Sequence, residues 1–140
     1  MKKILNNYAK LEAERTKLKE VLELTKDNPI KQLESFSETS TLYGNIDNLK
    51  DEILLEGRNF FENQSDEDAS KFILNFKEID DFTELLTSQT YLVREGKNND
   101  LALNHLKGLT ELQKKKNNLM QDIVNYAQIK IQKKKTKGSI

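Results

Sequence analysis

Residues 102–126 read Ala-Leu-Asn-His-Leu-Lys-Gly-Leu-Thr-Glu-Leu-Gln-Lys-Lys-Lys-Asn-Asn-Leu-Met-Gln-Asp-Ile-Val-Asn-Tyr. Ala102, Leu109, Lys116 and Ile123 share one heptad position, and His105, Leu112, Leu119 and Tyr126 share the other. Side chains that recur every three to four residues form a stripe along one side of an α-helix. With two polar members, His105 and Lys116, the pattern predicts a helix over about 100–134 with coiled-coil character rather than a strict zipper. Such a stripe is stable only when other helices cover it, and the preceding sequence supplies three more.

The first is expected over residues 3–26. Ile4, Leu11 and Leu18 are seven apart, Tyr8, Val21 and Leu22 widen the stripe, and Lys10, Glu12, Glu14, Lys17, Lys19 and Glu23 fill the other faces. Asp27-Asn28-Pro29 ends it, because the residue before proline avoids the α region. Pro29 can then open a short helical piece over 29–36, capped by Asn28 or Asp27. Ser37-Glu38-Thr39-Ser40-Thr41 reads as a loop, since its hydroxyls compete for backbone hydrogen bonds. A further helix is expected over 42–62, with Leu42, Ile46, Leu49, Ile53 and Phe60 inward and Gly57 as a weak point. Ser65 with Asp68 resembles a capping box, which starts another helix near Asp66. That helix, about 66–94, carries Phe72, Phe76, Ile79, Phe82 or Thr83, and Leu86 at helical spacing. Gly96 is placed to close it in the left-handed conformation. Strand patterning is limited to Thr90-Tyr91-Leu92-Val93, too short to make a sheet.

The fold class that follows is all-α: an elongated antiparallel helical bundle or coiled coil of three to four helices with a long C-terminal helix. One helical domain covers 1–134, and residues 135–140 form a disordered basic tail. The first and last helices would be about 36 and 50 Å long, against a radius of gyration of about 14 Å for a compact domain of this length. The last helix therefore overhangs, and its stripe needs a partner.

Composition narrows the chemistry. Apolar residues make up 36% of the 140, charged residues 33%, with one Pro and five Gly. The absence of Cys excludes disulfides, cysteine-bound metals and thiol catalysis. No apolar run is long enough to span a membrane, and no apolar segment follows the basic start as a secretory signal would require. The expected location is intracellular, cytoplasmic or nuclear. Of the 23 basic residues, 20 are Lys and 3 are Arg. Arg is the side chain suited to bidentate reading of phosphates and guanine edges, so sequence-specific DNA recognition is not expected.

The net charge of zero conceals an asymmetry. Residues 101–140 hold 9 Lys against Glu111 and Asp122, whereas residues 34–84 hold 14 acidic and 4 basic side chains. Either the basic last helix complements the acidic middle of its own chain, or a basic patch of Lys114, Lys115, Lys116, Lys133, Lys134, Lys135 and Lys137 meets an acidic surface or nucleic acid. Phosphate binding by such a patch would be non-specific and salt-dependent.

Catalytic machinery is not evident. His105 is the single histidine, and its helical neighbours Leu101, Ala102, Gly108 and Leu109 offer no carboxylate to orient it. Asp66-Glu67-Asp68 fails as a calcium loop, because Lys71 and Lys77 stand where glycine and a bidentate acid are needed. The isolated glycines form no phosphate-binding loop. No catalytic residue, metal or cofactor is expected. The expected function is a non-enzymatic helical protein–protein interaction subunit or adaptor of a larger assembly. Its partners, a second copy or other helical chains, would bind Ile4, Leu11, Leu18, Val21 and Leu22 on the first helix or Leu109, Leu112, Leu119, Ile123 and Tyr126 on the last. The alternatives are a non-specific nucleic-acid-binding accessory protein, of the packaging or replication type, and a secretion- or flagellar-type helical chaperone.

Overall fold

The computed structural model describes residues 1–96 and 99–138, and within these every side chain except that of Tyr91 and those of 133–138. The described residues form five helices and no strand, so the chain is all-α: α1 (Lys2–Thr25), α2 (Pro29–Glu34), α3 (Phe36–Glu62), α4 (Glu67–Glu95) and α5 (Asn99–Gly138). No helix among the described residues is long and apolar enough to cross a membrane.

The α1–α2 turn follows from proline chemistry. Asp27 takes φ 62°, and Asn28 is extended at φ −125°, ψ 94°, as a residue before proline prefers. Asn28 Oδ1 accepts the Lys31 N–H at 3.1 Å, and Pro29 occupies the first turn, where its missing N–H costs nothing. Gln32 Nε2 donates to the Thr25 carbonyl at 3.1 Å, closing the end of α1.

The expected loop at 37–41 is instead the first turns of α3. Its hydroxyls do not compete with the helix. Thr39 Oγ1 donates to the Ser35 carbonyl at 2.9 Å and Thr41 Oγ1 to the Ser37 carbonyl at 3.0 Å, the back-bonding that a helix tolerates. The cap of α4 is Asp66 rather than Ser65: its carboxylate accepts the Ala69 N–H at 2.8 Å, and Glu67 and Asp68 follow in the first turn. Gly96 ends α4 without a left-handed residue, at φ −98°, its N–H bonded to the Leu92 carbonyl at 2.9 Å. Thr90–Val93 belong to α4. The helix expected to end at 134 continues to Gly138, Lys being a good helix former; residues 139 and 140 of the expected tail lie outside the described residues.

The chain divides into two compact units, Met1–Gly57 with Ile123–Ile140, and Arg58–Asp122. In the first, α1 and α3 run antiparallel. Lys3 Nζ pairs with Glu56 at 3.1 Å, and Asn45 Nδ2 donates to Glu14 at 3.4 Å, so equal eleven-residue steps along the two helices run in opposite senses. Ile4, Leu11, Leu42, Ile46 and Ile53 are buried here. A Cβ on Gly57 would lie 2.8 Å from Ile123 Cδ1, so α3 and α5 approach closely at this glycine.

In the second unit α4 and α5 are also antiparallel. Glu78 meets Lys115, Leu86 meets Gly108, and Thr90 meets His105. Phe61 at the end of α3 stacks on Phe72 with ring centroids 4.1 Å apart. Arg58 pairs with Asp80 at 2.8 Å and lies 5.6 Å above the Phe76 ring. The side chain buried at this end of α3 is Phe61, not Phe60.

Candidate interaction surfaces

The apolar stripes expected to meet other chains lie largely inside this one. Ile4, Leu11, Leu18, Leu112, Leu119 and Ile123 are buried. Val21 and Tyr126 are half-buried. Only Leu22 and Leu109 are well exposed, at 46% and 40%. Three further residues of α5, Met120, Val124 and Ala127, are also buried. The apolar doublets Leu119-Met120 and Ile123-Val124 carried that signal, since adjacent apolar residues mark a helix covered on more than one side.

Asn7 is a buried residue that the heptad reading missed. It sits between Ile4 and Leu11 at heptad spacing, is 6% exposed, and its amide nitrogen has no hydrogen-bond partner. His105 is half-buried, with Nε2 3.5 Å from Thr90 Oγ1 and Nδ1 buried without a partner.

The basic cluster is partly committed within the chain. Lys115 Nζ reaches Glu78 Oε1 at 3.0 Å and lies 5.9 Å from the Phe82 ring centroid. The Glu78 carboxylate, which accepts its hydrogen bond, holds the Lys115 ammonium above its usual pKa. Lys114 is exposed and Lys116 half-buried; the side chains of Lys133, Lys134, Lys135 and Lys137 lie outside those described. Arg58 is likewise held charged, first by its hydrogen bond to Asp80 and then by Glu62. Lys50 departs the other way: burial, and then the nearby positive charge of Arg15, lower its pKa.

A shallow groove between α4 and α5 holds Asn75, Glu78, Lys115, Asn118 and Asp122. Its Glu78 and Lys115 neutralise each other. A second depression, beside Phe61, is floored by Ala69, Ile73 and Leu74. Among the described residues no three His, Asp or Glu side chains converge on a point where a metal ion could sit.

Several exposed apolar side chains lie close in sequence around α2. Leu24, Ile30, Leu33 and Phe36 are 77%, 71%, 78% and 69% exposed. Leu22 and Tyr43 extend the set at each end. A single exposed leucine needs no explanation, whereas a contiguous exposed apolar patch calls for one. Comparison of the chain with protein-family models, curated proteins and solved structures finds no match.

Proposed function

We propose that the chain is a non-enzymatic protein–protein interaction subunit, a helical scaffold whose own bundle buries most of its heptad stripes and which presents the apolar surface around α2 to a partner. The observation that carries this reading is the exposure of Ile30, Leu33 and Phe36, each more than two-thirds open to solvent within seven residues. Leaving three large apolar groups in water forgoes roughly 1.5–3 kcal/mol for each, a cost that a contact surface explains and a solvated helix does not. The heptad positions named from sequence contribute to folding, and Leu22 and Leu109 are the members still available outside. The nucleic-acid alternative is weaker because Lys115, at the centre of its first cluster, is held by Glu78.

The test is affinity capture from the source cell with wild-type and Leu33→Glu chains, together with differently tagged copies of the chain itself. Leu33 is 78% exposed, so the substitution leaves the fold intact, which far-UV circular dichroism verifies. Selective loss of a captured protein with Leu33→Glu supports the reading. Identical capture by both chains contradicts it.

A further inference from the structure

The turn between α3 and α4 leaves one hydroxyl unused. Asp66 takes the α4 cap, its carboxylate accepting the Ala69 N–H at 2.8 Å, so the Ser65 hydroxyl has no hydrogen-bond partner. Residues 62–68 are exposed without interruption, and 63–66 lie outside both helices. The other serines and threonines are placed differently. In α1, α4 and α5 every such hydroxyl among the described side chains donates to the carbonyl four residues earlier. Thr39 and Thr41 of α3 do the same, and Ser35 donates to the Lys31 carbonyl. Ser37 and Ser40 keep free hydroxyls, but their backbone is committed to α3. Among the described side chains Ser65 alone joins a free hydroxyl to a backbone outside any helix.

That combination suits a group-transfer acceptor. A kinase has to bring the acceptor oxygen in line with the transferring phosphoryl group and next to a catalytic carboxylate, and a helix holds its own backbone groups in internal bonds that would resist this. The flanking sequence specifies which kind of kinase fits. Asp66, Glu67 and Asp68 follow Ser65 directly, Glu62 stands three residues before it, and no Lys or Arg occurs between Arg58 and Lys71. Glu62 is paired with Arg58 at 3.1 Å, whereas Glu67 and Asp68 enter no ion pair among the described residues. Such a run attracts a basic substrate groove and repels an acidic one. Acids at a helix start also complement its dipole. That accounts for Glu67 and Asp68, but not for the free serine ahead of them.

We propose that Ser65 is a phosphorylation site, modified by a serine/threonine kinase whose basic substrate groove reads the carboxylates that follow the acceptor. Ser65 Oγ attacks the γ-phosphorus of ATP. A new O–P bond forms as the bond between that phosphorus and the β–γ bridging oxygen breaks, ADP leaves, and the hydroxyl proton passes to the kinase's catalytic aspartate. The product adds about −1.5 to −2 of charge at neutral pH beside Asp66, Glu67 and Asp68. Like charges at that point do not draw the phosphate into the fold, and the Ala69 N–H is already satisfied by Asp66. The modification is therefore a mark on the surface and not a new internal contact. It stands independently of the apolar surface around α2.

The test incubates the full chain with ATP and Mg²⁺ and one of two kinases, one that selects acidic residues after its serine and one that selects Arg or Lys before it. Intact-mass and fragment mass spectrometry locate the phosphate. With the acid-directed kinase the chain gains the mass of one phosphoryl group, on Ser65, and Ser65→Ala gains none. The double variant Glu67→Gln, Asp68→Asn leaves the Asp66 cap in place, which far-UV circular dichroism verifies, and it is phosphorylated about tenfold more slowly or worse. The base-directed kinase leaves Ser65 bare. A wild-type chain whose Ser65 stays bare with the acid-directed kinase overturns the proposal, whether or not Ser37 or Ser40 is modified instead. Equal rates for the wild type and the double variant, or equal modification of Ser65 by both kinases, overturn it as well, since the carboxylates would then not be read.

Discussion

Replacing one glycine of α3 by alanine is expected to stabilise the protein, and replacing another in the same helix to destabilise it. At Gly44 the added methyl meets nothing within 4 Å, so Gly44→Ala yields the full gain in helix propensity, about 1 kcal/mol. For a chain of this size that is about 4 °C in Tm. Gly57→Ala brings the same propensity gain, but its Cβ falls 2.8 Å from Ile123 Cδ1 and 3.0 Å from Cγ2. Ile123 is fully buried and cannot swing aside, and overpacking of this kind costs about 1–3 kcal/mol. The net effect is a loss of up to about 2 kcal/mol. Urea unfolding followed by far-UV circular dichroism, at about 5 µM so that self-association is negligible, measures both. Ile123→Val, which removes Cδ1, should recover part of the loss when combined with Gly57→Ala, giving a coupling energy that independent sites would lack. Equal shifts of the same sign for the two alanine variants would refute the close packing of α3 on α5 at Gly57.

Three other outcomes follow from individual residues. Asn7→Leu removes a buried amide donor with no partner, worth about 1–3 kcal/mol, and should raise stability in the same assay; a loss would show that the amide holds a bond in solution. Asp27 has φ 62°, so Asp27→Val should cost about 1–2 kcal/mol while Asp27→Gly is tolerated, and equal thermal midpoints would contradict that turn geometry. Lys50 has a folded pKa below its ordinary 10.5, through burial first and Arg15 second. The unfolded chain therefore binds more protons at this group between the two pKa values, and its destabilising contribution, present at neutral pH, is relieved as pH rises through the lowered folded pKa toward 10.5. Lys50→Met should accordingly exceed the wild type in stability at neutral pH, with the gap narrowing as pH approaches 10.5; a gap that does not change with pH would count against this account.

Helix content was legible from periodicity because an inward stripe leaves a repeat that no loop imitates, as with Ile4, Leu11 and Leu18. The α1 end was legible because Pro29 restricts Asn28 whatever the surroundings. The failures have local causes. Thr39 and Thr41 carry hydroxyls that serve a loop or a helix equally well, and only the Ser35 and Ser37 carbonyls decide between them. Gly57 reads as a weakness until Ile123 is seen against it. The candidate surface was the least visible. Ile30, Leu33 and Phe36 have the same spacing as core residues, and a sequence does not distinguish an apolar stripe turned inward from one turned outward. The expected overhang of the last helix directed attention to Leu112, Leu119 and Ile123, which are buried in this chain.

The central claim is that the heptad stripes close within one chain, leaving the α2 face as the surface for association. The concentration dependence of the thermal midpoint tests it most directly, since a fold that needs a partner becomes more stable as protein is added. Between about 2 and about 20 µM the midpoint should stay within about 1 °C for the wild type and for Leu33→Glu alike. A midpoint that climbs by several degrees over that range, in a chain whose α2 face has been disrupted by Leu33→Glu, would show that the stripes are completed by another molecule and would contradict the account.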